Sequence, residues 1–201
     1  MTGSTTVPTG NTYDKYRTRH GVERRLVDGF LRCLDSAIEG SVAGRVLEVG
    51  AGEGMVADRV ARRLDGARVV GVDLCDESLV PHWRARGLCG TFADAGRLPF
   101  GARTFDLVLA IEVLEHLPSP AAALAEIRRV ARGRVLLSVP REPIWRAGNL
   151  ARRRYVPALG NTPGHLQHWS SRGFERLVAS ELRVVRVWRP LPWTMILATA
   201  D

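Results

Sequence analysis

Apolar residues recur every four positions from Val22 through Leu26, Phe30 and Leu34 to Ile38, the period of a helix that buries one face. Gly40 marks its end. The pattern then changes. RVLEV (45–49) is a short branched run stopping at a glycine cluster, which predicts a strand, a tight turn and a helix to about Leu64. The alternation continues with a strand at 67–73, a helix from about Glu77 to Arg86, a strand from Leu88 to Ala93 and a strand at 105–110. A helix over Pro120–Ala131 leads into RVLLSV (134–139). Strands alternating with helices of this length predict βαβ units. They specify an α/β fold: a doubly wound parallel sheet covered on both faces.

From Pro140 to Ser170 the rhythm breaks into Pro, Gly, Trp, Arg, Asn and His. A stretch of that composition and length predicts a lid-like insertion. Beyond it the pattern predicts a helix from Ser171 to about Ala179, capped by Ser170 or Ser171, then strands at 181–188 and 194–200. The short RPLPW connection makes those two strands an antiparallel pair at a sheet edge. Residues 1–12 are Thr/Gly/Ser/Pro-rich and expected to be disordered. Residues 13–201 are expected to form a single domain with its insertion at about 140–170.

At 201 residues and a mean hydropathy of -0.07, the chain has no apolar run near the roughly 18 residues of a membrane span. The N-terminus lacks the apolar segment of a secretory signal. A cytoplasmic protein with no membrane partner is the expectation. Cys33, Cys75 and Cys89 are too few and too scattered for a disulfide framework, and are expected to be reduced and mostly buried. The net charge is +8, yet Lys15 is the only lysine, which points to a GC-rich coding bias. The paired arginines (Arg24 and Arg25, Arg62 and Arg63, Arg128 and Arg129) are expected on solvated helix faces.

Chemistry concentrates at the ends of the predicted strands. In VLEVGAGEG (46–54), Gly50, Gly52 and Gly54 allow a sharp exit from the strand and close approach of a ligand. Met55 stands where a dinucleotide fingerprint needs a small residue. Glu48 and Glu53 suit a cationic ligand better than a pyrophosphate. Asp73, 21 residues past Gly52, ends the next strand where a carboxylate accepts ribose hydroxyls, or else caps the following helix. Asp94 follows the third strand. FDLVLAIEVLEHLPSP (105–120) starts with the fourth.

These four blocks, in this order over residues 22–140, resemble the class I S-adenosylmethionine-dependent methyltransferases. The resemblance implies a Rossmann-like seven-stranded sheet of order 3-2-1-4-5-7-6 with its last strand antiparallel. It implies S-adenosylmethionine as cofactor and S-adenosylhomocysteine as product. Glu48, Gly50 and Gly52 would line its methionine part, Asp73 the ribose, Asp94 and Ala95 the adenine, and Ile111 the neighbourhood of the sulfonium, with Leu74 also against the cofactor.

Methyl transfer from a sulfonium needs mainly a held acceptor; an alcohol or phenol must also lose a proton. His165, together with His116, is the catalytic candidate. His168 beside Trp169 is expected to pack or to bond a backbone group. The E-x-x-E-H block with a distant His also resembles metal-dependent small-RNA 2'-O-methyltransferases and, in its first part, ubiquinone-pathway O-methyltransferases. That resemblance implies a divalent metal on Glu112, Glu115, His116 and His165. A metal-free site is the preferred expectation, because this segment also occurs in metal-free relatives.

In the insertion, Trp145, Tyr155 and Trp169 are expected to wall an apolar acceptor pocket, with Arg152, Arg153 and Arg154 attracting an anion; a solvated helix with its apolar side on the core is the alternative. The expected function is methylation of a small acceptor, anionic or aromatic, at oxygen, with nitrogen and carbon left open. The alternatives are RNA 2'-O-methylation, with nucleic acid the less expected partner, and a non-catalytic binding protein of the same fold.

Overall fold

A computed structural model describes residues 21–41 and 43–200; the expected disordered N-terminus lies outside them. The sheet contains β1 (Arg45–Val49), β2 (Arg68–Asp73), β3 (Cys89–Phe92), β4 (Phe105–Ile111), β5 (Ala131–Pro140), β6 (Arg183–Trp188) and β7 (Trp193–Thr199). Their order is β3-β2-β1-β4-β5-β7-β6. The first five are mutually parallel, and β7 runs antiparallel to both β5 and β6. The order reverses between β1 and β4, and it is there that carboxyl-terminal strand ends diverge to leave a crevice.

Among the described residues, six helices flank the sheet: α1 (Gly21–Ile38), α2 (Met55–Ala61), α3 (Val80–Ala85), α4 (Pro120–Val130), α5 (Ile144–Ala151) and α6 (Ser171–Ala179). Alternation along β4 supplies both faces. Leu107, Leu109 and Ile111 pack with α1 and α2, while Val108 and Ala110 join α4 and α6 in the other core layer. Ser170 caps α6 by accepting from the Gly173 N–H.

Several expectations need correction. Val22 is exposed; Val27 and Ala37 join Phe30, Leu34 and Ile38 on the buried face of α1, because a strict four-residue repeat drifts around a helix of about 3.6 residues per turn. The helix after β1 stops at Ala61, and the one expected over 77–86 splits into a 3-10 turn, Glu77–Leu79, and α3. Asp76 caps that turn through Ser78 N, so Asp73 is not the cap. Cys75 and Cys89 are exposed and only Cys33 is partly buried, since Cys75 follows β2 in a loop and Cys89 starts an edge strand. Of the arginine pairs, Arg129 is half-buried, bonding Glu126 and the Leu98 and Phe100 carbonyls.

The insertion is a closed excursion. Arg141 bridges to Trp169, and the Glu142 N–H bonds the Trp169 carbonyl, so the chain leaves and re-enters at one place. Inside it lie α5 and a 3-10 turn, Val156–Ala158.

Candidate active site

One cavity of about 650 Å3 occupies the carboxyl-terminal edge of the sheet, within the size range of small-molecule sites. The turn after β1 forms its floor. Gly50, Gly52 and Gly54 all have positive φ; at Gly50 a Cβ would also collide with Cγ2 of Val113. Asp73 fastens the turn: its Oδ2 accepts from the Gly52 N–H at 2.6 Å and its Oδ1 from the Leu74 N–H at 2.8 Å. Each carboxylate oxygen keeps acceptor capacity beyond one bond. The Gly52 carbonyl in turn receives the Trp83 indole N–H at 2.7 Å.

Glu48 is 2% exposed and lines the same cavity. Burial pushes its carboxyl up to about 8, opposed by the Ala57 backbone N–H and reinforced by the charge of Asp73. Burial likewise raises Asp73, against the pull of its two backbone donors. Two carboxyl groups facing one desolvated space favour a cation there. Leu74, Asp94, Ala95 and Ile111 line the cavity too, with Asp94 Oδ1 accepting from the Gly96 N–H at 2.7 Å. All eight residues expected to meet the cofactor therefore converge, whereas Glu53 is not among the lining residues.

The opposite wall is built by α1, the insertion and the start of β7. Trp145, Tyr155, Arg152 and Arg154 line it as expected; Arg153 and Trp169 do not. Trp169 packs against Phe174, ring centroids 5.8 Å apart, because the re-entry of the excursion turns it onto the core. The sequence reading missed Leu26, Asn149, Thr162 and Trp193. Asn149, a buried amide inside a helix, was the available signal: it bonds the Gly160 carbonyl and Thr162, and accepts from Arg152.

Where these walls meet, Glu115, His116 and His165 each bring one donor atom within 4.8 Å of the others. The segment turns as a 3-10 helix, Leu114–His116. His116 Nδ1 lies 2.9 Å from the Gly164 carbonyl; a carbonyl only accepts, so Nδ1 carries a proton and the contact fixes the orientation of the ring. The His116 and His165 rings meet edge to face at 4.9 Å, and Trp145 stacks on His165 at 6.1 Å. The Glu115 carbonyl accepts the Leu166 and Gln167 N–H groups, pinning the insertion to this turn. Glu112 lines the cavity but stands outside the cluster. His168 is exposed and bonds the Asn161 side chain at 2.7 Å, in place of the expected packing or backbone contact.

Comparison with known proteins agrees with this architecture. A family model described as a methyltransferase domain matches residues 18–181. A ubiquinone biosynthesis O-methyltransferase of Hahella chejuensis is 40% identical over 95 residues, 44% of this chain and 39% of that protein. A malonyl-[acyl-carrier protein] O-methyltransferase of Geobacter sulfurreducens is 34% identical over 122 residues, 59% of this chain and 44% of that protein. The chain thus spans less than half the length of either relative. Among solved structures, the magnesium protoporphyrin IX methyltransferase of Synechocystis with bound S-adenosylhomocysteine superposes with a TM-score of 0.68 at 18% identity, covering 94% of both chains. A SAM-dependent methyltransferase from Aquifex aeolicus gives 0.66 at 18% identity, covering 85% of this chain and 89% of that one. With the family model covering most of its length, the chain belongs to the methyltransferase domain family.

Proposed function

We propose that this protein transfers the methyl group of S-adenosylmethionine to an oxygen of a small acceptor. The observation that carries the reading is the glycine turn clamped by Asp73 at the β1/β4 switch point, with Glu48 buried beside it. In this reading Asp73 takes the ribose hydroxyls, Leu74, Asp94 and Ala95 hold the adenine, and Glu48 with Gly50 and Gly52 receives the cationic methionine end. Ile111 borders the sulfonium. The acceptor lies against Trp145, Tyr155 and Trp193, with Arg152 and Arg154 favouring an anionic substituent.

His165, with the His116 ring beside it, takes up the acceptor's proton, the Gly164 contact fixing the orientation of His116. The donor chemistry of Glu115, His116 and His165 also fits a divalent ion, with His116 oriented by a carbonyl as metal-bound imidazoles are. Such an ion would polarise the acceptor oxygen.

Calorimetric titration of S-adenosylhomocysteine tests the cofactor reading; no saturable binding contradicts it. Titration of Mg2+ and Mn2+ into the protein saturated with that product, wild type beside His165→Ala, then separates the two proton-handling schemes. Stoichiometric binding lost in the variant assigns the cluster to a metal. No metal binding leaves the imidazoles as the base.

A further inference from the structure

Helices at a protein surface ordinarily turn polar residues outward; α5 does the opposite. Its exposed positions are Ile144, Ala147, Gly148, Leu150 and Ala151, while the polar Asn149 is buried. Ile144 and Leu150 are each 40% exposed, and the following turn leaves Val156 51% and Leu159 68% exposed. These residues form one patch, because the Arg146 side chain donates to the Leu159 carbonyl and Asn149 to that of Gly160, holding the turn against the helix. The inner side of this same segment, through Trp145, Asn149 and Tyr155, is the acceptor wall of the cavity.

Charge completes the pattern. Between Glu142 and Glu175 the chain carries five arginines and no carboxylate. Arg153 is exposed at the end of α5, and the 2.7 Å Arg152–Glu23 pair brings up the start of α1 with its exposed Arg24 and Arg25. We propose that this face docks on the surface of an anionic lipid bilayer, with Ile144, Leu150 and Leu159 entering the headgroup region and the arginines meeting lipid phosphates. The absence of a membrane-spanning helix among the described residues concerns crossing the bilayer, not lying on it.

Other occupants fit less well. Self-pairing would set the arginines of two chains of net charge +8 against each other. A nucleic acid would satisfy the arginines but bury none of the aliphatic groups. Resting on the methyltransferase reading, the consequence is that the acceptor is an amphiphile drawn from the membrane.

The test is co-sedimentation of the full chain with vesicles of phosphatidylglycerol and phosphatidylcholine, against phosphatidylcholine alone. The comparison variant is Ile144→Asp combined with Leu159→Glu, both outside the cavity lining. Binding to the anionic vesicles that falls with added salt, and falls by about tenfold or more in the variant, is the expected result. No wild-type binding, or equal binding by the variant, overturns the proposal. So does a wild-type dimer in sedimentation velocity that the variant dissolves. S-adenosylhomocysteine titrated into both proteins reports the fold of the variant and keeps the readings separate: vesicle binding without product binding would sink the methyltransferase reading and leave this one standing.

Discussion

The two walls of the cavity are built by different physics. The strand-end wall is backbone and carboxylate: a turn with positive φ at three glycines, held by Asp73 through the Gly52 N–H. The insertion wall is side chain and aromatic ring, held by Asn149, by Trp145 bonding Thr162, and by the Arg152–Glu23 pair. A wall made from strand ends inherits the rigidity of the sheet, whereas a wall made from an excursion is only as firm as its own few polar contacts. The first suits a constant cofactor and the second a variable acceptor.

That contrast can be broken at either wall. The largest effect belongs to Gly50→Ala, where a Cβ meets Val113 and φ is positive. A loss of about 3 kcal/mol in denaturant unfolding is expected, together with loss of product binding. Trp145→Ala removes the Thr162 hydrogen bond and the contacts to His165 and Trp193. It should cost about 2 kcal/mol and speed proteolysis within 141–165, yet leave affinity for S-adenosylhomocysteine within about threefold, since the strand-end wall is intact. An equal collapse of cofactor binding would show that the walls are not separable.

Glu48→Gln has a smaller effect whose sign depends on pH. The folded protein holds the Glu48 proton up to about pH 8, while the unfolded chain releases it at the ordinary carboxylate value. The contribution of Glu48 is thus fully present below that ordinary value and is lost as pH rises through 8. The amide keeps it, so the ligand-free variant should be more stable than wild type above pH 8, by about 1 kcal/mol or more. A bound cation favours the ionised carboxylate, so wild-type affinity for S-adenosylmethionine should weaken as pH falls below 8; in the variant this slope should flatten. Thermal unfolding and calorimetry across pH check both signs. The smallest change is expected from Arg152→Gln, which breaks a partly exposed ion pair with Glu23 and should cost less than about 1 kcal/mol in chemical denaturation.

The same division explains what the sequence disclosed. Strand-end residues were legible because their positions follow from local pattern: a branched run, then glycine, then a carboxylate at a strand end. Their convergence follows from sheet order alone. The insertion was legible only as an interruption. Trp169 faces Phe174 and the core because the excursion closes at Arg141, a contact between residues far apart in sequence. Trp193 and Leu26 reach the cavity from β7 and α1, and no local pattern announces that. The E-x-x-E-H resemblance grouped Glu112 with Glu115, His116 and His165 around one metal. The observed chain has Glu112 at positive φ and turns as a 3-10 segment only from Leu114, which separates Glu112 from the Glu115 cluster. The outward apolar face of α5 was equally hidden, since an amphipathic pattern does not say which side faces the core.

The central claim is that the Asp73-clamped turn binds the cofactor, and calorimetric titration of S-adenosylhomocysteine into wild type and Asp73→Ala tests it most directly. A single saturable site in wild type, weakened at least about a hundredfold in the variant by loss of a charged acceptor, is the predicted result. An unchanged dissociation constant in a folded Asp73→Ala protein would contradict the account.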